Sequence, residues 1–197
     1  MFTAKDVMTL RQRTGAGMME AKRALEEANG DQDKAAEALR VKGIAKADKR
    51  SGKQTSEGVM GSYIHHNGKV GVLVEVNCET DFVARTDDFK NLAKEIALHI
   101  ASAAPVAVDK DGVPAEAVAS ERRIAEEQAK ASGKPENIVQ RMVEGKVDKF
   151  LEQSCLLYQG WIREPDKTIG ELIKEVSAKV GENIQVRRFV RYQMGEE

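Results

Sequence analysis

Cysteine is scarce in this 197-residue chain: Cys78 and Cys155 are the only two. They lie far apart, show no metal-ligand spacing and sit in apolar, strand-like runs, which excludes a cysteine-rich zinc module and favours free thiols over a disulfide. Both are expected to be buried free thiols in a reducing compartment. Aromatic residues make up only 5% of the chain. Neither sign of charge is in excess, with 31 Lys and Arg against 32 Asp and Glu. A global positive field for phosphate backbones is therefore absent, and nucleic acid is not the expected direct partner. No run of about 18 apolar residues is present, so no membrane span is expected. The start, Met1-Phe2-Thr3-Ala4-Lys5-Asp6, has no apolar stretch like that of a signal peptide. A soluble, cytoplasmic protein is the expectation.

Catalytic machinery is equally sparse. Thr14-Gly15-Ala16-Gly17 lacks the spacing and the lysine of a phosphate-binding loop, and no strand leads into it. The adjacent His65 and His66, read as part of a strand, would point to opposite faces and could not ligate one ion without a bulge. No local run orients a base toward Cys78 or Cys155 or builds an oxyanion site. The chain is expected to be no enzyme and to hold neither cofactor nor metal.

With 41% hydrophobic and 32% charged residues, the chain can bury one sizeable core and a small satellite. Residues 1–42 read as a module of three short helices. Thr3 with Asp6 forms a capping box, Gly15 and Gly17 break the chain, and Asn29-Gly30-Asp31 ends one helix and caps the next. Val7, Leu10, Met18, Ala21, Leu25, Ala35, Ala36 and Leu39 fall at helical spacing and form its expected core. The module is similar to the ubiquitin-associated fold, which implies a docking surface. Residues 43–57 shift to Lys, Ala, Ser, Gly and Gln, with Lys46, Lys49, Arg50 and Lys53 offset only by Asp48 and Glu57. This segment reads as a basic linker, extended or partly helical, without the interleaved aromatics that base stacking needs.

Residues 58–197 read as an α+β core. Val59–His66, the turn Asn67-Gly68 and Lys69–Val76 form a hairpin with a type I′ turn. Phe89, Leu92, Ala93, Ile96, Ala97 and Ile100 line one buried helix face, ending near Pro105. Pro114 opens a charged helix. Lys134-Pro135 opens another, which Gly145 stands to interrupt. Cys155–Ile162 reads as a strand, Thr168 to Glu171 as a capping box, and Gly181 as a helix stop. In the last strand, Ile184, Val186, Val190 and Tyr192 share one face, while Arg187 and Arg191 take the opposite, solvated one. The pattern gives a mainly antiparallel sheet with helices on one face.

One run stands out: Glu75-Val76-Asn77-Cys78-Glu79-Thr80-Asp81-Phe82-Val83-Ala84-Arg85 puts a large aromatic between a strand and a helix, flanked by Asp and Arg. Phe82, Phe89 and Ile96 are spaced by sevens and could share a core face, yet Arg85 and Thr86 interrupt that face. Phe82 is thus either a cap on the core or a probe for another protein. Three further classes are compatible with parts of the chain. They are an adaptor acting through the helical module alone, an RNA binder using Arg187, Arg188, Arg191 and the linker lysines, and an enzyme built on Cys155.

The run through Thr80-Asp81-Phe82-Val83, together with Leu10-Arg11-Gln12-Arg13-Thr14-Gly15-Ala16-Gly17-Met18-Met19-Glu20-Ala21-Lys22-Arg23-Ala24-Leu25, resembles elongation factor Ts. Gly133-Lys134-Pro135, Met142–Gly145, Pro165–Thr168 and Lys179–Ile184 with Arg187-Arg188 also resemble that family, so the likeness spans nearly the whole chain. It implies a nucleotide-exchange factor that binds elongation factor Tu in its GDP-bound and nucleotide-free forms. In the family, the Thr-Asp-Phe-Val segment enters the partner's nucleotide-binding domain and disturbs its magnesium site. Arg11, Met18 and Met19 fall on positions implicated in docking, and His65 is a secondary contact candidate. Longer members carry two similar core subdomains and a protruding coiled coil. Here Gly61–His65 resembles the hairpin of the second subdomain and Asn77–Val83 that of the first. One sheet combining features of both leads to the expectation that two chains pair.

Overall fold

The structure, a computed structural model, describes residues 2–131 and 135–196. The fold is α+β, with an antiparallel three-stranded sheet and eight α-helices among the described residues. Its elements are α1 (Ala4–Thr14), α2 (Met18–Glu27), α3 (Gln32–Arg50), β1 (Glu57–Ile64), β2 (Val70–Cys78), α4 (Asp81–Ala84), α5 (Asp87–Ala103), α6 (Ala115–Lys130), α7 (Glu136–Ser154), β3 (Gly160–Trp161), β4 (Glu164–Thr168), α8 (Ile169–Val180) and β5 (Gln185–Gln193). The chain divides into two compact units. One comprises Met1–Gly61, Glu75–Ala93 and Glu171–Val186, and the other Ser62–Val74, Lys94–Gly170 and Arg187–Glu197.

In the first unit, α1 starts at the expected capping box. The Thr3 N–H and hydroxyl both donate to Asp6, whose own N–H donates back to the Thr3 hydroxyl oxygen. Gly15 ends α1 in the left-handed region, with its N–H on the Arg11 carbonyl. Val7, Leu10, Ala21, Ala24, Leu25 and Ala35 close into a small core, edged by Phe2, Ala28, Ala36 and Leu39. Met18 is not among them; it is 44% exposed.

The basic stretch from Gly43 is largely helical, because α3 continues to Arg50. Several of the charged side chains along α3 are held by ion pairs. Lys42 pairs with Glu27, Lys46 with Glu20, Asp48 with Lys174 and Arg50 with Glu79. Gly43 lies where an added Cβ would meet the Ala178 methyl at 3.0 Å, so α3 runs closely past α8. These partners come from distant parts of the sequence, which is why local composition suggested a tether.

The sheet order is β1-β2-β5. The first hairpin closes with the His65 N–H on the Val70 carbonyl and the Gly68 N–H on the His65 carbonyl. Positive φ falls on Gly68 and not on Asn67, so the loop is longer than the expected type I′ turn. His65 and His66 therefore lie beyond the end of β1. Their ring centroids are 4.2 Å apart, which replaces the opposed arrangement expected on a strand. Met194 N–H donates to the carbonyl of Lys69, so the end of β5 meets the start of β2.

Along β2, Val72, Val74 and Val76 are buried while Leu73 is exposed. On β5 the expected environments hold at the start, where Val186 is buried and Arg187 exposed, and reverse toward the end. Tyr192 is 73% exposed and Val190 is exposed, whereas the Arg191 side chain is largely buried and bonds the Ala101 carbonyl, Gln193 and Glu196. A buried guanidinium needs this full set of acceptors.

In the second unit, α6 and α7 form a helical hairpin around Ala125, Ala129, Val139, Val143 and Val147. Pro114 and Pro135 stand at their N-caps. Gly133 and Lys134 lie outside the described residues. Gly145 does not interrupt α7, which runs to Ser154. The run Cys155–Ile162 is not one strand. Cys155 makes an isolated parallel bridge with Ala107, Leu156–Tyr158 forms a 3-10 turn, and Gly160–Trp161 pairs with β4. An apolar run is ambiguous between these outcomes. Here Gly160 decides it, since any Cβ there would sit 2.4 Å from the Pro165 carbonyl oxygen.

Candidate functional site

Thr80 ends the excursion out of β2 and caps α4. Its extended backbone (φ −130°, ψ 155°) turns the chain, and its hydroxyl oxygen accepts from the Val83 N–H at 3.5 Å. Across this single turn of helix, Val83 and Ala84 face inward and are buried. Phe82 faces outward and is 79% exposed. The flanking Asp81 carboxylate accepts from Arg85 at 2.7 Å. The site thus presents one bare aromatic ring beside a surface ion pair.

The support beneath the ring is polar and dense. The Glu182 carboxylate, on the turn after α8, accepts from the N–H of Glu79 (3.1 Å), the N–H of Thr80 (3.0 Å) and the Thr80 hydroxyl (2.6 Å). In return the Glu79 carboxylate accepts from the Asn183 N–H at 2.6 Å and from Nε and Nη2 of the Arg50 guanidinium. The Asn183 amide bond, followed by Arg50, holds the Glu79 carboxyl below its ordinary range. Cys78 is fully buried directly before this segment, and its thiol donates to the Thr80 carbonyl. Burial, and then the nearby Glu182 charge, push that thiol up to about 11, so it remains a neutral S–H rather than a nucleophile.

Arg11, Met18 and Met19 are all exposed on the helical module, with Met19 69% exposed. Met8 is exposed as well, and an open groove of about 340 Å³ is lined by Met8, Arg11, Gln12, Gly15 and Lys179. Residues around α1 and α2 therefore show solvent an apolar surface rimmed by cations. His65 is half-buried, and its Nδ1 lies 3.0 Å from the Tyr63 hydroxyl. Among the described residues, no group of three His, Cys, Asp or Glu side chains could hold a metal ion. None of the described helices is long and apolar enough to cross a membrane.

Sequence reading located Thr80 to Val83 but missed Glu182, Glu79 and Arg50. The Lys179–Ile184 run was visible as a motif. Nothing in it announced that its carboxylate would close on a threonine so far away in the chain.

The elongation factor Ts family matches residues 4–196. The chain is 55% identical over 196 residues to elongation factor Ts of Carboxydothermus hydrogenoformans, covering 100% of this chain and 90% of that one. It is 54% identical over 195 residues to elongation factor Ts of Fervidobacterium nodosum, with 99% of each chain covered. With elongation factor Ts of Thermosipho melanesiensis the identity is 53% over 196 residues, and both chains are covered in full.

Proposed function

The chain belongs to the elongation factor Ts family, and from that premise we propose that it is a cytoplasmic guanine nucleotide exchange factor for elongation factor Tu. It makes and breaks no covalent bond and needs no cofactor. A translation GTPase holds its nucleotide through a magnesium ion, backbone N–H groups around the phosphates and switch segments that these contacts keep ordered. A partner that prefers the nucleotide-free form weakens GDP binding by the same factor, so tight docking becomes fast release. GTP then refills the site and expels the exchange factor.

The observation that carries this reading is Phe82, 79% exposed on a helical turn whose base is pinned by hydrogen bonds. A phenyl ring left in water gains on the order of 1.5 to 3 kcal/mol when a partner buries it. Each 1.4 kcal/mol by which that gain favours the nucleotide-free form is about tenfold in GDP affinity. Val83 and Ala84 seat the turn, Thr80 caps it, and Asp81, already paired with Arg85, approaches the partner's magnesium site without ligating the ion. Arg11, Met18 and Met19 in residues 1–42 dock the partner separately from residues 58–197, with residues 43–57 between them. His65 is a secondary contact.

Two copies pair in this reading. Supporting it, Ile64, Leu73, Val190 and Tyr192 leave apolar side chains exposed on β1, β2 and β5. Apolar strand faces of this kind mark interaction surfaces.

The test is release of a fluorescent GDP analogue from elongation factor Tu in stopped flow. Wild-type chain accelerates release and Phe82→Ala loses about tenfold of that acceleration while remaining folded. Equal rates for the two would remove the wedge.

A further inference from the structure

We propose that Glu182 is a positioning residue for exchange, aiming the Phe82 side chain by clamping the base of α4. The inference rests on the reading of Phe82 as the wedge. It starts from a weakness: α4 has four residues, too few to be stable by itself. Its own cap is long, with 3.5 Å between the Val83 nitrogen and the Thr80 hydroxyl oxygen. Phe82 is too exposed for core packing to hold its direction. What orients the ring must therefore act on the backbone below it.

Glu182 does so at three points. Its Oε2 takes the N–H groups of Glu79 and Thr80, and its Oε1 takes the Thr80 hydroxyl proton. These donors immediately precede α4, and bonds to an ionised carboxylate are stronger than neutral ones. Taking the hydroxyl proton also leaves the Thr80 oxygen free to accept from Val83, so the clamp and the cap reinforce each other. Glu182 is itself fixed. Gly181 stops α8 at φ 77°, and the buried Ser177 hydroxyl donates to the Glu182 carbonyl. The carboxylate thus transmits the position of a helix end to the wedge.

The consequence is preorganisation: with the backbone beneath it already set, the ring loses less ordering entropy when it enters the partner. Removing the clamp should lower the maximal release rate and leave docking through Met18 and Met19 unchanged. Wild type, Glu182→Ala, Phe82→Ala and the double variant F82A/E182A are compared in GDP release from elongation factor Tu across a range of exchange-factor concentrations. Glu182→Ala is expected to lower the saturating rate about tenfold while shifting the half-saturating concentration less than about twofold. In the Phe82→Ala background the same change is expected to do nothing further, because the clamp then has no ring to aim. Glu182→Gln, which keeps one acceptor oxygen, falls between wild type and Glu182→Ala. It replaces Glu182→Ala in the cycle if melting curves show that the alanine variant is unfolded.

Two results overturn the inference and leave the wedge intact: slow release by Phe82→Ala with wild-type release by the Glu182 variants, or fully additive losses. Wild-type release by Phe82→Ala overturns the wedge itself.

Discussion

Phe82 and Phe89 stand seven positions apart and end in opposite environments, the first 79% exposed and the second fully buried. Their spacing would align them only on one continuous helix. Instead Thr86 divides the segment. Its hydroxyl donates to the Val83 carbonyl at the end of α4 and accepts from the Phe89 N–H at the start of α5. The break rotates Phe82 out of the core face that Phe89, Leu92 and Ile96 share.

Stability should separate the two rings. Phe89→Ala is expected to cost about 3 to 5 kcal/mol by leaving a cavity, and Phe82→Ala to stay within about 0.5 kcal/mol of wild type. Urea denaturation followed by circular dichroism measures both.

The exposed strand faces predict the state of association. Replacing Tyr192 and Ile64 by lysine should convert a pair of chains into single ones, because each change puts a charge where apolar side chains would meet. Light scattering after size exclusion reads the mass directly. A wild-type chain that elutes as a monomer at every concentration would remove the pairing.

His99 should leave a mark on the pH profile. It is buried, its Nε2 faces the Gln159 side-chain oxygen at 3.0 Å, and its Nδ1 has no partner among the described residues. Burial lowers its pKa from the ordinary histidine value of 6.5. Below about pH 6.5 the unfolded chain therefore binds a proton that the native chain resists, and stability falls with decreasing pH until the lower native value is reached. The slope contributed is at most about 1.4 kcal/mol per pH unit. Denaturation midpoints of wild type and His99→Asn between pH 7.5 and 5 test this, with the variant expected to show the flatter profile.

Both thiols should be silent in the native protein. Cys78 and Cys155 are fully buried, and burial raises both above the ordinary cysteine range. Iodoacetamide at pH 8 is expected to label neither until denaturant is added, as peptide mass spectrometry would show. Rapid native labelling of Cys155 would revive the reading of a reactive cysteine.

Local chemistry made much of the fold legible. The Thr3 capping box, the buried face of α5 and the prolines before α6 and α7 depend on neighbours a few residues away, and those appear where the pattern placed them. What escaped depends on distant partners. Arg191 turns inward because the Ala101 carbonyl and Glu196 receive it, and α3 runs on past its apolar pattern beside α8, with Gly43 against Ala178 and Arg50 held by Glu79. The candidate site divides the same way: the Thr80–Val83 motif could be read from sequence, whereas the Glu182 and Arg50 side chains that support it could not.

The 19-residue α3 ends at Arg50, which grips the residue beside Thr80. A strut of about 28 Å therefore includes much of the stretch whose composition reads as a basic linker, and its length comes in helical steps. One extra residue within it would swing the amino-terminal helices by about 100° and advance them about 1.5 Å. The bearing of α1 and α2 on the turn that carries Thr80 is thus set in increments of a single residue.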